Sequence, residues 1–349
     1  MSQPRPLSRF SRSWPRAVGR WGLAVGCSAA LALLFAGPFL WRYWQDWQFA
    51  RDVAALGGML DYGPYGSGPI YALKPSHCNV LLGECDVDDL WLARHRAALG
   101  QLPGRLYLEL IGTSVGDAGL AQLIGLELQS LSLDSTQVTD EGLSHVAKIQ
   151  SLEGVSLSNT QVTDAGLAGL QQIPRLKGLG LDSTQVTDEG LSHLTQFKRL
   201  EGLSLCNTPI TDGGLARLQQ MPCLRNLTLG GPRISDATVA LVGQLRGLRY
   251  LSLRDTRITD AAIKHLKTLP LNFLLLDSIQ VSDAGLPALA QLGSLEWLHL
   301  SNMQITDAGL QQLKGMAKLR ELHLRGTRVT AAGAAVLQNA MPSCQITVN

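Results

Sequence analysis

The chain has little charge and almost no excess of either sign: 17% of its 349 residues are charged, for a formal net charge of +2. A nucleic-acid interface normally carries a basic surplus, so no nucleic-acid partner is expected. The sequence also lacks G-x-x-x-x-G-K-S/T and H-E-x-x-H. Without such groups a nucleophile, a base and oxyanion donors cannot be assembled, and neither catalysis nor a cofactor is expected. The six cysteines contain no C-x-x-C pair, which removes a redox dipeptide and a zinc knuckle. Apolar residues, by contrast, are plentiful. At 45% hydrophobic, the chain can offset its ordering entropy by burial, which excludes disorder.

The small net charge is unevenly spread. Residues 1–20 carry Arg5, Arg9, Arg12, Arg16 and Arg20 and no acid, whereas residues 105–349 carry 20 bases and 21 acids. Residues 21–41 contain no charge at all. At ~1.5 Å rise per residue such a stretch spans a ~30 Å hydrocarbon layer, so it reads as a transmembrane signal anchor in contact with the bilayer. A cleaved signal peptide is the rival reading, but the run is long and ends in Gly-Pro-Phe-Leu-Trp rather than a clean Ala-x-Ala. Trp14, Trp21, Trp41, Trp44 and Trp47 cluster around it as interfacial rings would. With the arginines inside, the expectation is a single-pass membrane protein with a cytoplasmic N-terminus and the rest on the extracytoplasmic side. The expected organisation is a basic tail over 1–20, an anchor over 21–41, a juxtamembrane helix, turn-rich loop and N-terminal cap over 42–104, and a repeat array over 105–349.

The repeat has a period of 23 or 24 residues. Ten units start at Arg105, Leu128, Leu152, Leu176, Leu200, Leu224, Leu248, Leu271, Leu295 and Leu319. The unit reads L-x-x-L-x-L-x-x-T-x-V/I-T-D-x-G-L-x-x-L-x-x-L. Leu occupies position 6 in all ten, from Leu110 to Leu324. Strand-like alternation followed by helical spacing, at this period, signals a solenoid. Ile346 and Val348 fall at positions 4 and 6 of an unfinished closing strand.

These units resemble the leucine-rich repeat family, in its T-D-x-G-L subclass, related to the cysteine-containing type found in F-box partners. The resemblance covers 105–349 and implies an α/β fold: a right-handed solenoid with a parallel concave sheet and convex helices. The N-terminal part is also similar to bacterial membrane-anchored leucine-rich repeat proteins with a basic tail, one anchor and a Leu-Gly-Gly segment, here Leu56-Gly57-Gly58.

Each repeat position has a physical reading. Leucines at 4 and 6 share one strand face and point into the core. Apolar residues at 16, 19 and 22 form one helical face against it. Asp stands at position 13 in nine of ten units. A column of carboxylates suggests a metal strip, but Thr-Asp before a helical pattern reads as the helix cap, and no metal is expected. Thr at position 9 is expected to bond the backbone of the next coil. Pro232, Ile279 and Met303 replace it in three units. Asp86–Leu99 reads as a capping helix. Cys78 and Cys85 are close enough in sequence for a disulfide, with two free thiols the open alternative.

The candidate site follows from the outward positions. Position 3 runs Tyr107, Ser130, Gly154, Gly178, Gly202, Asn226, Tyr250, Phe273, Trp297 and Glu321. Three aromatics thus fall on adjacent strands ~4.8 Å apart. Leu275, His299 and His323 occupy position 5, and Arg254 and Arg325 position 7. Exposed aromatics flanked by Arg and His have the composition of an interface, so these eight residues are the expected contacts for a protein or peptide ligand. Residues 133–145 and 181–193 are the same 13 letters, duplicated scaffold without that individuality. His299, His323 and Glu321 could hold zinc by residue type, but no supporting partner is identifiable. The expected function is a non-catalytic recognition module for a protein, peptide or envelope polymer. The alternatives are a structural or assembly protein of the envelope and, more remotely, a ubiquitin-ligase-type adaptor.

Overall fold

The computed structural model describes residues 48–62 and 77–348. Thirteen strands make one sheet in strict chain order, from β1 (Met59–Tyr62) and β2 (His77–Leu81) to β13 (Gln345–Thr347). The β1–β2 pair is antiparallel. Every later pair is parallel, as in Leu203↔Leu227 and Leu227↔Leu251. A short helix follows each repeat strand and returns the chain to the next coil, so the fold is an α/β solenoid of stacked units.

Positions 4 and 6 are buried in each of the ten units, and the Val or Ile at 11 and the first helical apolar residue join them in one continuous core. Position 8 makes the turn out of the strand. Ser135, Asn159, Ser183, Asn207, Asp255, Ser278 and Asn302 all have φ between 53° and 58°, and glycines fill the same place at 112, 231 and 326. This left-handed conformation crowds Cβ against the carbonyl, which is why the position takes only Gly, Asn, Asp or Ser in these units.

Position 13 does something the sequence reading assigned differently. The threonine before it is the N-cap: Thr139 Oγ1 accepts from Glu141 N, and Thr163, Thr187, Thr211, Thr259 and Thr306 repeat this. Asp is the first helical residue, and its carboxylate reaches the next coil. Asp140 Oδ1 accepts from Thr163 N at 2.8 Å and Oδ2 from Thr163 Oγ1 at 2.6 Å. The same two bonds join Asp164 to Thr187, Asp236 to Thr259 and Asp283 to Thr306. The aspartate column is therefore an inter-coil staple, and each staple fixes the cap of the following helix. The glycine at position 15 makes room for it: a Cβ at Gly285 would lie 2.6 Å from Asp260 Oδ1, and at Gly142, Gly166, Gly190, Gly214, Gly309 and Gly333 closer still. Where Thr238 stands instead, its hydroxyl donates to Asp212, and beside Ala262 the Asp236 carboxylate still makes both bonds to Thr259.

Position 9 also differs from expectation. Thr136, Thr160 and Thr184 donate to carbonyls of their own coil three residues back, at Leu133, Leu157 and Leu181, and not to the next coil. The local bond closes the turn created at position 8, which a longer reach could not do.

The array begins one coil earlier than the ten units. β2 pairs with β3 (Arg105–Glu109) in parallel, Cys78, Val80 and Leu82 take the core positions, and Glu84 has the left-handed φ of 58°. Asp89 Oδ1 accepts from Gly116 N at 2.8 Å, a staple of the same kind. The capping helix runs Asp89–Leu99 with Asp88 as N-cap, three residues later than Asp86. Phe49 and Val53, on the helical residues 48–55, are buried in the same core. The disulfide that Cys78 and Cys85 would allow is not made. Both are free thiols: Cys78 points into the core, and burial pushes its thiol up to about 11.

The expected location is corrected. Among the described residues no helix is long and apolar enough to cross a membrane. The longest, Asp89–Leu99, has 11 residues, or ~16 Å at 1.5 Å per residue, against the ~30 Å a bilayer requires. The segment 21–41 on which the anchor, bilayer contact and topology were placed lies outside the described residues, as do the basic tail, the interfacial tryptophans and the loop over 63–69.

Candidate functional site

The candidate surface lies on β9 (Tyr250–Arg254), β10 (Phe273–Asp277), β11 (Trp297–Ser301) and β12 (Glu321–His323). Within these strands the even positions are leucines turned inward, so the odd ones face out. Register aligns them without slippage: Tyr250↔Phe273, Phe273↔Trp297 and Trp297↔Glu321 in one row, and Ser252↔Leu275, Leu275↔His299 and His299↔His323 in the next. The backbone repeats too. Phe273 N donates to Arg249 O, Trp297 N to Asn272 O and Glu321 N to Glu296 O.

Alignment brings the rings together. Tyr250 and Phe273 stack with centroids 4.9 Å apart, Phe273 and Trp297 at 6.1 Å, each pair inclined by 24°. His299 lies 5.3 Å from Phe273, and His323 lies 4.2 Å from His299. Five rings on four strands thus form one continuous, half-buried patch. Aromatic pairs of this kind contribute about 0.5–1.5 kcal/mol each beyond their buried area, so the surface is preorganised. In the second row Leu275 is half-buried, whereas Ser252 is buried.

The rim is charged. Arg254 is exposed and reaches Asp277 at 3.7 Å; Arg325 is exposed beyond β12. Glu321 Oε2 lies 3.4 Å from His323 Nε2. Sequence reasoning missed the other rim, at position 2, where Glu296 accepts from Asn272 Nδ2 at 3.1 Å and pairs with Arg320 Nε at 3.3 Å. The signal available there was the succession Arg249, Asn272, Glu296, Arg320, which sets polar and oppositely charged side chains on adjacent coils. No cluster of three or more His, Cys, Asp or Glu side chains suited to a metal occurs among the described residues. Further along the sheet the face is plain, with Gly154, Gly178 and Gly202 in the aromatic row.

Burial, and secondly the neighbouring His323, hold the His299 imidazole below its ordinary range, against opposing pulls from Asp277 and Glu321. A base whose pKa is depressed on folding is neutral in both states well above pH 6.5. As pH falls through that value the unfolded chain takes up the proton first, so the folded state loses stability. Between pH 7 and pH 5, wild-type protein will therefore lose more urea-midpoint stability than His299→Gln. Parallel pH curves for the two would remove the acid sensitivity from this residue.

Three comparisons place the chain among known proteins. Residues 128–147, one unit with its strand and helix, match the family model described as Leucine Rich repeat. No curated protein matches the chain significantly. Among solved structures, an internalin (inlF) from Listeria monocytogenes is 18% identical with a TM-score of 0.49, over 77% of this chain and 82% of that one. Internalin C2 (inlC2) from Listeria monocytogenes is 25% identical with a TM-score of 0.44, over 60% and 84%. At such scores neither likeness adds to what the coils themselves display. The matched unit recurs along the sequence and in the structure with its core, turn and cap positions intact; the chain is a leucine-rich repeat protein.

Proposed function

We propose that this chain is a non-catalytic recognition module whose protein or peptide ligand docks on the outer face of the sheet. Tyr250, Phe273 and Trp297, with Leu275, His299 and His323, form the contact patch, and Arg254 and Arg325 its rim. Leucine-rich repeat proteins as a class bind other proteins, which is the coarse part of this reading. The observation that carries the finer part is the stacked, half-exposed row of rings, set in a sheet whose same face over residues 154–156 and 178–180 is glycine and serine. Half-exposed aromatics at the centre of a charged rim have the make-up of interface hot spots.

The test is affinity capture from the source cell with wild-type chain, with Tyr250→Ala/Phe273→Ala/Trp297→Ala, and with Ser132→Ala/Ser156→Ala on the plain stretch. Circular dichroism checks that all three fold. Proteins enriched by the wild type will fall at least tenfold with the aromatic variant and stay level with the serine one. Equal enrichment by all three excludes the ring row as the binding surface.

A further inference from the structure

The other side of the solenoid carries a feature that the sheet face does not use. Between the helix Asp236–Val242 and the 3-10 turn Lys264–Thr268 lies an open depression of about 760 Å³. Its walls hold four basic side chains, Arg246, Lys264, His265 and Lys267, and no acid; Gln219 and Gln244 supply amide groups, joined at 3.0 Å. All four basic residues are exposed, and among the described residues none takes part in an ion pair.

Two local details produce this concentration. Gly243 lets the coils approach closely, since a Cβ there would strike the carbonyl of His265, and Thr268 Oγ1 bonds Gly243 O at 3.1 Å. The acids that could neutralise the cluster are occupied elsewhere. Asp236 is bound to Thr259 at 2.7 and 2.6 Å, and Asp260 to Ser282 at 2.8 Å through each oxygen. A region of 20 bases and 21 acids has thus set three permanent cations around one acid-free hollow. Like charges held together raise the local positive potential and draw in anions.

We infer that this hollow binds an acidic peptide segment of a partner protein, at a site separate from the ring row. Its chemistry selects among anions. Small-molecule pockets are largely apolar, whereas this lining is charged and amide-bearing. Single-stranded nucleic acid needs rings on which bases stack, and no aromatic residue other than the His265 imidazole lines the hollow. A run of carboxylates on an extended backbone, rising ~3.3 Å per residue, meets basic groups drawn from two adjacent coils, with the Gln219–Gln244 amide pair beside them.

The experiment uses the full chain and a fluorescein-labelled hexaglutamate peptide, read by anisotropy at low salt. Binding that weakens at least tenfold in Lys264→Glu/Lys267→Glu and weakens with added salt is the expected result. Lys148→Glu/Lys198→Glu, which reverses two helix-side lysines outside the hollow, is expected to bind like the wild type, as is the triple-alanine ring variant. Absent binding overturns the inference, as does an equal loss in both lysine pairs. So does tighter binding of hexathymidylate or of inorganic phosphate at matched charge. Loss in the ring variant alone would instead move the acidic peptide to the sheet face.

Discussion

Alanine at Leu227 is expected to lower unfolding stability by about 2–5 kcal/mol, measured by urea denaturation. Leu227 is fully buried at the middle of the sheet, registered between Leu203 and Leu251. Truncating the side chain there leaves a cavity whose walls are the leucines of both neighbouring coils, so relaxation is limited. A solenoid holds together through nearest-neighbour interfaces, and a weakened central coil loosens two of them at once. The contrast residue is Leu90, which is 53% exposed on the capping helix; its alanine variant should stay within about 0.5 kcal/mol of wild type. A Leu227 variant as stable as the Leu90 one would mean that the coils do not share a core.

The second large effect concerns the aspartate staple. In Gly190→Ala the new Cβ meets Asp164 Oδ1 and comes within 2.7 Å of Val186 Cγ1. The carboxylate would ordinarily swing away. Here it is held by Thr187 N at 2.7 Å and Thr187 Oγ1 at 2.6 Å, so the two coils must shift apart to make room, as they do at Ala262, where Asp236 keeps both bonds to Thr259. Overpacking a contact this close costs about 1–3 kcal/mol, against about 1 kcal/mol regained from alanine's better helix propensity. Gly190→Ala should therefore destabilise, and so should Asp164→Ala, which leaves the cap of the next helix unsupported. The double variant removes the clash with the carboxylate and leaves only the side-chain contact with Val186, so its cost will be smaller than the sum of the two single costs. Strict additivity would show that glycine is present for a reason other than the carboxylate.

How much of this was legible in letters depends on whether a feature repeats within a coil or arises between coils. Leucine at 4 and 6 alternates with period two, and burial of Leu131, Leu133, Val155, Leu157 and their equivalents follows from that alternation alone. The ring row was legible for a related reason. A fixed period carries position 3 from strand to strand, so Tyr250, Phe273 and Trp297 had to become neighbours once coils stacked in register. The staple was not legible, because it joins Asp140 to Thr163 across 23 residues and depends on how closely two helices approach. Capping was the local explanation for the same letters, and the neighbouring threonine already fulfils it. Position 8 offered a signal that went unread: Asn, Ser, Asp and Gly alternate there because its φ is positive. The coil over 77–104 escaped notice since Cys78, Val80 and Glu84 stand where the consensus letters would be, though each does the same physical work.

Site-specific photocrosslinking tests the central claim most directly. A photoreactive phenylalanine analogue is placed at Leu275, among the rings, and in a second protein at Ser156, on the plain stretch of the same sheet face. Irradiated in the source cell, the protein labelled at 275 should form a discrete covalent adduct with another protein, and the one labelled at 156 should not. An adduct at 156 alone, or equal adducts at both, would contradict a docking surface centred on Tyr250, Phe273 and Trp297.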